Sequence, residues 1–209
     1  MPSEILKTAP LEDIVDGNIK KHLSQNPLIR GVVEKFNEDV AQLAASCRPQ
    51  NILDIGCGEG FTTVQIAKQL PQTAITGIDL MPERIRYAEA KNKAKNIVYQ
   101  TADMFRLPFS ENAFDLVVCN EVLEHLENYT AALEVLKKFA RKFILISVPN
   151  EPWFRSANVL RLHYLSRWGS TPGHINHWTR SGIYRAAGAC GEVVQLKTST
   201  LWNILLIKK

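Results

Sequence analysis

An apolar run, Asn51-Ile52-Leu53-Asp54-Ile55, carries an acid near its end and leads into three glycines at alternate positions, Gly56, Gly58 and Gly60, before a helical pattern opens at Phe61. Glycine lets the backbone turn sharply and lets a ligand reach the main chain without a Cβ in the way, while the helix start offers unpaired N–H groups. Two more acids, Asp79 and Asp103, close the next two β-branched runs. A carboxylate placed like Asp79 can accept both hydroxyls of a ribose. Three acids at successive strand ends suit a nucleoside bearing positive charge better than one bearing phosphates. A fourth run is followed by Asn120-Glu121-Val122-Leu123-Glu124-His125. If this turns as a helix, Glu121, Glu124 and His125 share one face at i, i+3 and i+4. Two carboxylates and an imidazole are the start of a divalent-metal site. Oxygen-rich ligation suits Mg²⁺ or Mn²⁺, and the imidazole leaves room for Co²⁺ or Zn²⁺. The same residues also work as local caps, with the carboxylates on helix N–H groups and His125 bonded nearby. In that case His174 or His177 is the general base, each poised near neutral pH, with His125 the third candidate imidazole.

These residues need a scaffold, and the chain spells one out. Asn26-Pro27 is a cap followed by a first-turn proline, and Ile29, Val33, Phe36, Val40 and Leu43 recur at helical spacing, predicting a helix to about Cys47. From Asn51 strand and helix patterns alternate: strand to Ile55, helix Phe61 to Leu70, strand Thr73 to Ile78, helix Pro82 to Lys95. Then come strands Ile97 to Thr101 and Phe114 to Cys119, a helix Tyr129 to Arg141, and a strand Phe143 to Val148 that Pro149 ends. The tail predicts a helix over Ser181 to Ala189 and an antiparallel hairpin of Val193 to Thr198 with Leu201 to Ile207. The expected fold class is α/β: a Rossmann-like, seven-stranded, mostly parallel sheet with helices on both faces.

The glycine loop is not the dinucleotide fingerprint, because Gly-x-Gly-x-x-Gly needs its third glycine one residue later than Gly60. Over about Asn51 to the C-terminus, and most specifically over Asp54 to Gly60, Asp79 and Asp103-Met104, the chain resembles the class I S-adenosylmethionine-dependent methyltransferases. The resemblance implies that S-adenosylmethionine is bound by Asp54, Gly56, Cys57, Gly58, Gly60, Asp79, Leu80, Met81, Asp103, Met104 and Asn120. The glycine loop would pack on the methionine part and Asp79 would hold the ribose. Met81 would lie on adenine, Asp103 with the Met104 backbone would read the adenine edge, and Asn120 would face the methionine end. Glu-x-x-Glu-His after the same strand is similar to two branches, the ubiquinone-biosynthesis O-methyltransferases and the small-RNA 3′-terminal 2′-O-methyltransferases. In the RNA branch a later histidine completes the metal set. Gly173-His174-Ile175-Asn176-His177-Trp178-Thr179-Arg180 is similar to that segment and puts His174 at the ligand position, beside Glu121, Glu124 and His125.

Transfer from a sulfonium needs little proton chemistry on the donor, so the protein must chiefly align and deprotonate the acceptor. The Asn-Pro-Pro loop of adenine-amino methyltransferases and the Pro-Cys pair of cytosine-carbon methyltransferases are both missing, which leaves oxygen as the expected acceptor atom. The RNA branch carries RNA-binding parts that a chain of 209 residues lacks, so a small molecule is expected. An RNA 2′-hydroxyl and a non-catalytic cofactor-binding role are the alternatives.

Composition agrees. Hydrophobic residues at 45% and charged residues at 22% exclude disorder as the main state, and the net charge of +4 permits an anionic partner but is too small to prove nucleic-acid binding. Glu4, Lys7, Glu12 and Asp13 interrupt the first residues, so no signal peptide or membrane span is expected; four scattered cysteines read as reduced thiols, and a cytoplasmic location follows. The expected organisation is an N-terminal helical segment, 1–50, capping the site, and a methyltransferase domain, 51–209, with a lid-like insertion at about 150–179. That insertion holds Trp153, Phe154, Tyr164, Trp168 and Trp178, His163, His174 and His177, and Arg155, Arg161 and Arg167. It suits an anionic or prenylated acceptor, or else its aromatics simply cover the sheet.

Overall fold

Asn26 accepts the Leu28 N–H on its side chain at 2.9 Å and Pro27 takes the first helical position, so α1 (Pro27–Ser46) begins at a built cap. This computed structural model describes residues 18–151 and 174–209. After α1 the chain runs β1 (Asn51–Ile55), α2 (Phe61–Gln69), β2 (Ala74–Asp79), α3 (Pro82–Lys91), β3 (Ile97–Thr101) and β4 (Phe114–Asn120). It continues with α4 (Tyr129–Phe139), β5 (Ala140–Pro149), α5 (Arg180–Ala187), β6 (Glu192–Ser199) and β7 (Trp202–Lys208).

The seven strands form one sheet in the order β3-β2-β1-β4-β5-β7-β6, parallel except for β7, which pairs antiparallel with both neighbours. β4 shows why the sheet needs helices on both sides. Leu116 and Val118 enter the core beneath α1 and α2, whereas Val117 and Cys119 enter the one beneath α4 and α5, and all four are fully buried. A central parallel strand is therefore apolar on both faces. Strand order reverses between β1 and β4, and an open sheet of this kind binds ligands in the crevice outside its carboxyl ends at that switch.

Three helix ends fall two or more residues short of their sequence expectation, one of them α5, which stops at Ala187 rather than Ala189. α3 stops at Lys91 rather than Lys95, because Asn92 leaves helical geometry to donate its side chain to the Glu59 carbonyl while its own carbonyl accepts the Tyr99 hydroxyl. α4 stops at Phe139 rather than Arg141, because Ala140 is already extended and paired with Phe114. Arg141 and Lys142 can then reach the buried Asp115 at 3.2 and 3.1 Å. Residues 152–173, with Trp153, Phe154, Arg155, Arg161, His163, Tyr164, Arg167 and Trp168 of the expected insertion, lie outside the described residues, as do residues 1–17. Among the described residues no helix is long and apolar enough to cross a membrane.

Ile144→Ala, which empties a fully buried position of β5, is expected to cost about 2–5 kcal/mol in urea unfolding. Val194→Ala, on the edge strand and 47% exposed, is expected to cost under about 0.5 kcal/mol. Equal losses would show that the Val194 side chain is packed rather than exposed.

Candidate active site

The turn after β1 is stitched to the end of β2 by the Gly56 and Cys57 N–H groups, both donating to the Ile78 carbonyl at 2.8 and 2.9 Å. Gly56, Gly58 and Gly60 all have positive φ (73°, 56° and 78°), which only glycine adopts without strain. Gly56 has a second reason to be glycine: a Cβ there would stand 2.3 Å from Val122 Cγ2. The glycine loop and the turn after β4 thus touch.

Each strand-end acid has a different setting. Asp54 is buried and accepts the Thr63 hydroxyl at 2.6 Å; burial pushes its carboxyl up to about 6 against the effect of that bond. Asp79 accepts the Gly58 N–H at 3.0 Å and the Met81 N–H at 2.9 Å, so its carboxylate is fixed across the crevice before any ligand arrives. The Arg84 guanidinium stands 3.7 Å from Asp79 and 3.5 Å from the fully buried Glu59, which also accepts the Asn18 side-chain amide. Asp103 is more open and caps the short turn Met104–Arg106 through the Phe105 N–H at 2.9 Å. Met81 and Met104 are buried, while Leu80 and Phe105 expose their apolar surface nearby in sequence. Both side-chain polar atoms of Asn120 are buried with no partner among the described residues.

Residues 18–22 form a helical turn against this loop. His22 stacks on Phe61, the first residue of α2, with ring centroids 4.2 Å apart, and Lys21 stands 5.7 Å over the Trp202 ring. Burial, with the neighbouring Lys21 charge, lowers the His22 pKa to about 3.

After β4 the structure departs from the one-face helix. Glu121 adopts φ 57°, its N–H donates to Ser147, and its carboxylate accepts the Trp202 indole N–H. The left-handed residue breaks the helical register, and only Leu123–His125 make a 3₁₀ turn. Glu124 is fully buried, and neither carboxylate oxygen has a hydrogen-bond partner among the described residues. One ligand atom each from Glu124, His125 and His174 lies within 4.8 Å of the others, and the two imidazoles meet edge to face at 5.0 Å. Glu121 is outside that group, so of the four expected metal residues the structure gathers three. Burial raises the pKa of both Glu121 and Glu124, and the Glu121 charge adds to the effect at Glu124.

The segment bearing His174 is clipped to this turn from 50 residues away. Ile175 and Asn176 N–H groups donate to the Glu124 carbonyl at 2.7 and 3.0 Å, and the Asn176 amide donates to Leu123 and Leu126 carbonyls at 2.9 and 2.7 Å. Glu151, just beyond β5, takes His174 Nδ1 at 3.3 Å and His177 Nδ1 at 3.4 Å. Sequence reading missed Glu59, Arg84, Trp202 and Glu151. Only Glu151 had a visible signal, as the one acid in a basic stretch.

A protein-family model, the methyltransferase domain, matches residues 52–142. Norajmaline N-methyltransferase of Rauvolfia serpentina is 35% identical over 111 residues, 51% of this chain and 35% of that protein. Malonyl-[acyl-carrier protein] O-methyltransferase of Hahella chejuensis is 28% identical over 132 residues, 59% of this chain and 47% of that protein. The chain thus spans about a third to a half of the length of these curated relatives. Magnesium protoporphyrin IX methyltransferase from Synechocystis PCC 6803 with bound S-adenosylhomocysteine superposes with a TM-score of 0.72 at 16% identity, covering 95% of this chain and 94% of that one. Residues 52–142 are thus similar to a methyltransferase domain, and the chain shares its fold with that S-adenosylhomocysteine-bound methyltransferase.

Two measurements test the geometry of this site. Gly56→Ala is expected to lower stability by about 2 kcal/mol or more, from strained φ plus the Val122 contact, and Val122→Ala in that background is expected to recover part of the loss. Wild-type stability in the single variant would contradict the contact. For His22, the unfolded chain takes up a proton below about 6.5 and the folded one only near 3, so stability falls as pH drops through that window. His22→Phe is expected to keep the stack and remove about 2 kcal/mol of the loss between pH 7 and pH 5. Parallel pH profiles for variant and wild type would count against a buried neutral imidazole.

Proposed function

We propose that this protein transfers the methyl group of S-adenosylmethionine to an oxygen of a small molecule. The observation that carries the reading is the shared wall at Gly56 and Val122, which sets the Asp79 crevice beside the Glu124, His125 and His174 cluster. Asp79, already oriented by two backbone N–H groups, would hold the ribose hydroxyls. Asn120, with both polar atoms unsatisfied, would meet the polar end of the methionine part. Bound S-adenosylmethionine would supply a methyl group on a sulfonium, whose departing thioether needs no protonation.

The protein's remaining work is on the acceptor, which must be aligned and must lose a proton. His174 is the best-placed base: it is buried, faces His125, and has Glu151 behind it. His177, with its side chain 41% exposed, would pass the proton towards solvent. The donor set of Glu124, His125 and His174 also fits a divalent cation, since an unpartnered buried carboxylate is costly unless a positive charge joins it. With Glu121 turned to Trp202, two of three donors are nitrogens, which favours Zn²⁺ or Co²⁺ over Mg²⁺ or Mn²⁺. Such a cation, when bound, supplies the charge that lowers a hydroxyl pKa. A cytoplasmic location is part of the same reading, supported by four free thiols.

Asp79→Ala is expected to weaken S-adenosylhomocysteine binding by about 1–3 kcal/mol in calorimetry, and an unchanged dissociation constant would remove Asp79 from the site. Glu124→Ala and His174→Ala are expected to abolish stimulation by divalent cations while cofactor affinity stays near wild type. Full activity in excess chelator would reject the cation. Labelled-methyl assays on hydroxylated small molecules and on RNA ends separate the acceptor classes. Tight cofactor binding with no transfer to either would overturn the catalytic reading.

A further inference from the structure

Glu151 stands at the carboxyl end of β5 as Asp79 does at the end of β2, yet it faces the histidines rather than the crevice. Its backbone N–H donates to the Trp178 carbonyl at 3.0 Å, and the preceding Asn150 N–H donates to Leu201 at 2.8 Å, so its main chain is tied to two segments. Its side chain is 6% exposed, and its Oε1 stands 3.3 Å from Nδ1 of His174, itself 6% exposed. Glu151 does not belong to the group of ligand atoms at Glu124, His125 and His174.

We propose that Glu151 is a positioning residue: its carboxylate holds the proton of His174 on Nδ1 and presents Nε2 as the ligating nitrogen to a divalent cation shared with Glu124 and His125. This rests on the cation reading above and adds to it the tautomer and the residue that sets it. A carboxylate behind a histidine fixes ring orientation and raises ligand basicity, and losing such a partner weakens metal affinity 10–100-fold. Placement makes Glu151 the residue to do this. Its main chain is tied down at the end of β5, whereas His174 belongs to an irregular segment held by hydrogen bonds to the Glu124, Leu123 and Leu126 carbonyls.

The test uses Co²⁺ as a spectroscopic probe on the full chain. Wild type is expected to develop ligand-field absorption on titration, and Glu151→Gln, which keeps volume but loses the charge, is expected to bind 10–100-fold more weakly. Its melting shift with S-adenosylhomocysteine should match wild type and serves as the folding control. Absence of Co²⁺ uptake by wild type overturns the cation reading and this inference together. Uptake by wild type with unchanged affinity in Glu151→Gln overturns this inference alone. Should the variant fail to fold, ¹⁵N spectra of the Zn²⁺-loaded wild type decide. A protonated Nδ1 and ligating Nε2 on His174 are expected, and ligation through Nδ1 overturns the proposal.

Discussion

The candidate site of this molecule depends on one main-chain carbonyl. Glu124 accepts the N–H groups of both Ile175 and Asn176, and with the Asn176 side chain this makes four hydrogen bonds between a 3₁₀ turn and a segment far along the chain. Bonds of this kind contribute about 1 kcal/mol each, less than hydrophobic burial contributes to the fold. Their importance is geometric. They bring an imidazole from beyond β5 to within ligand distance of a carboxylate and an imidazole that follow β4. The sheet supplies rigid strand ends, and the carbonyl supplies the crossing between them.

The same residue type behaves in opposite ways across the fold. Asp39 and Asp115 are buried yet held below the usual carboxylate range, because Lys35, Lys197 and Ser199 bond the first, and Gln50, Lys142 and Arg141 serve the second, outweighing burial. For Asp54 in β1 and for Glu121 and Glu124 beyond β4, burial outweighs the compensation, and their carboxyls are pushed up. Paired acids on the flanks hold elements together. Under-compensated acids gather at the crevice, where a cationic ligand would relieve them.

How much of this could be read from the chain follows from which forces are local. Asn26-Pro27, the Asp54-to-Gly60 loop and Asp79 are short-range signals, and the structure places a helix cap, a positive-φ turn and an oriented carboxylate at them. The two helix ends at Lys91 and Phe139 were misjudged because a loop carbonyl and a strand partner, both distant in sequence, override helical spacing. Glu121 was misjudged for the same reason: Ser147 and Trp202 set its backbone and side chain, and neither is foreshadowed by the residues around it. Counting along the motif did bring His174 to the cluster, but the sequence marked Glu151 only as an acid in a basic stretch, and its pairing with His174 appears only in the folded chain.

Trp202 turns this arrangement into an optical feature. An indole whose N–H points at a buried carboxylate and whose ring lies under an ammonium group sits in a strong local field, and its emission responds to that field. Any event that alters the charge on Glu121 or displaces Lys21 changes the colour of the light from this ring, so the protein carries its own dye at the corner where chemistry is expected.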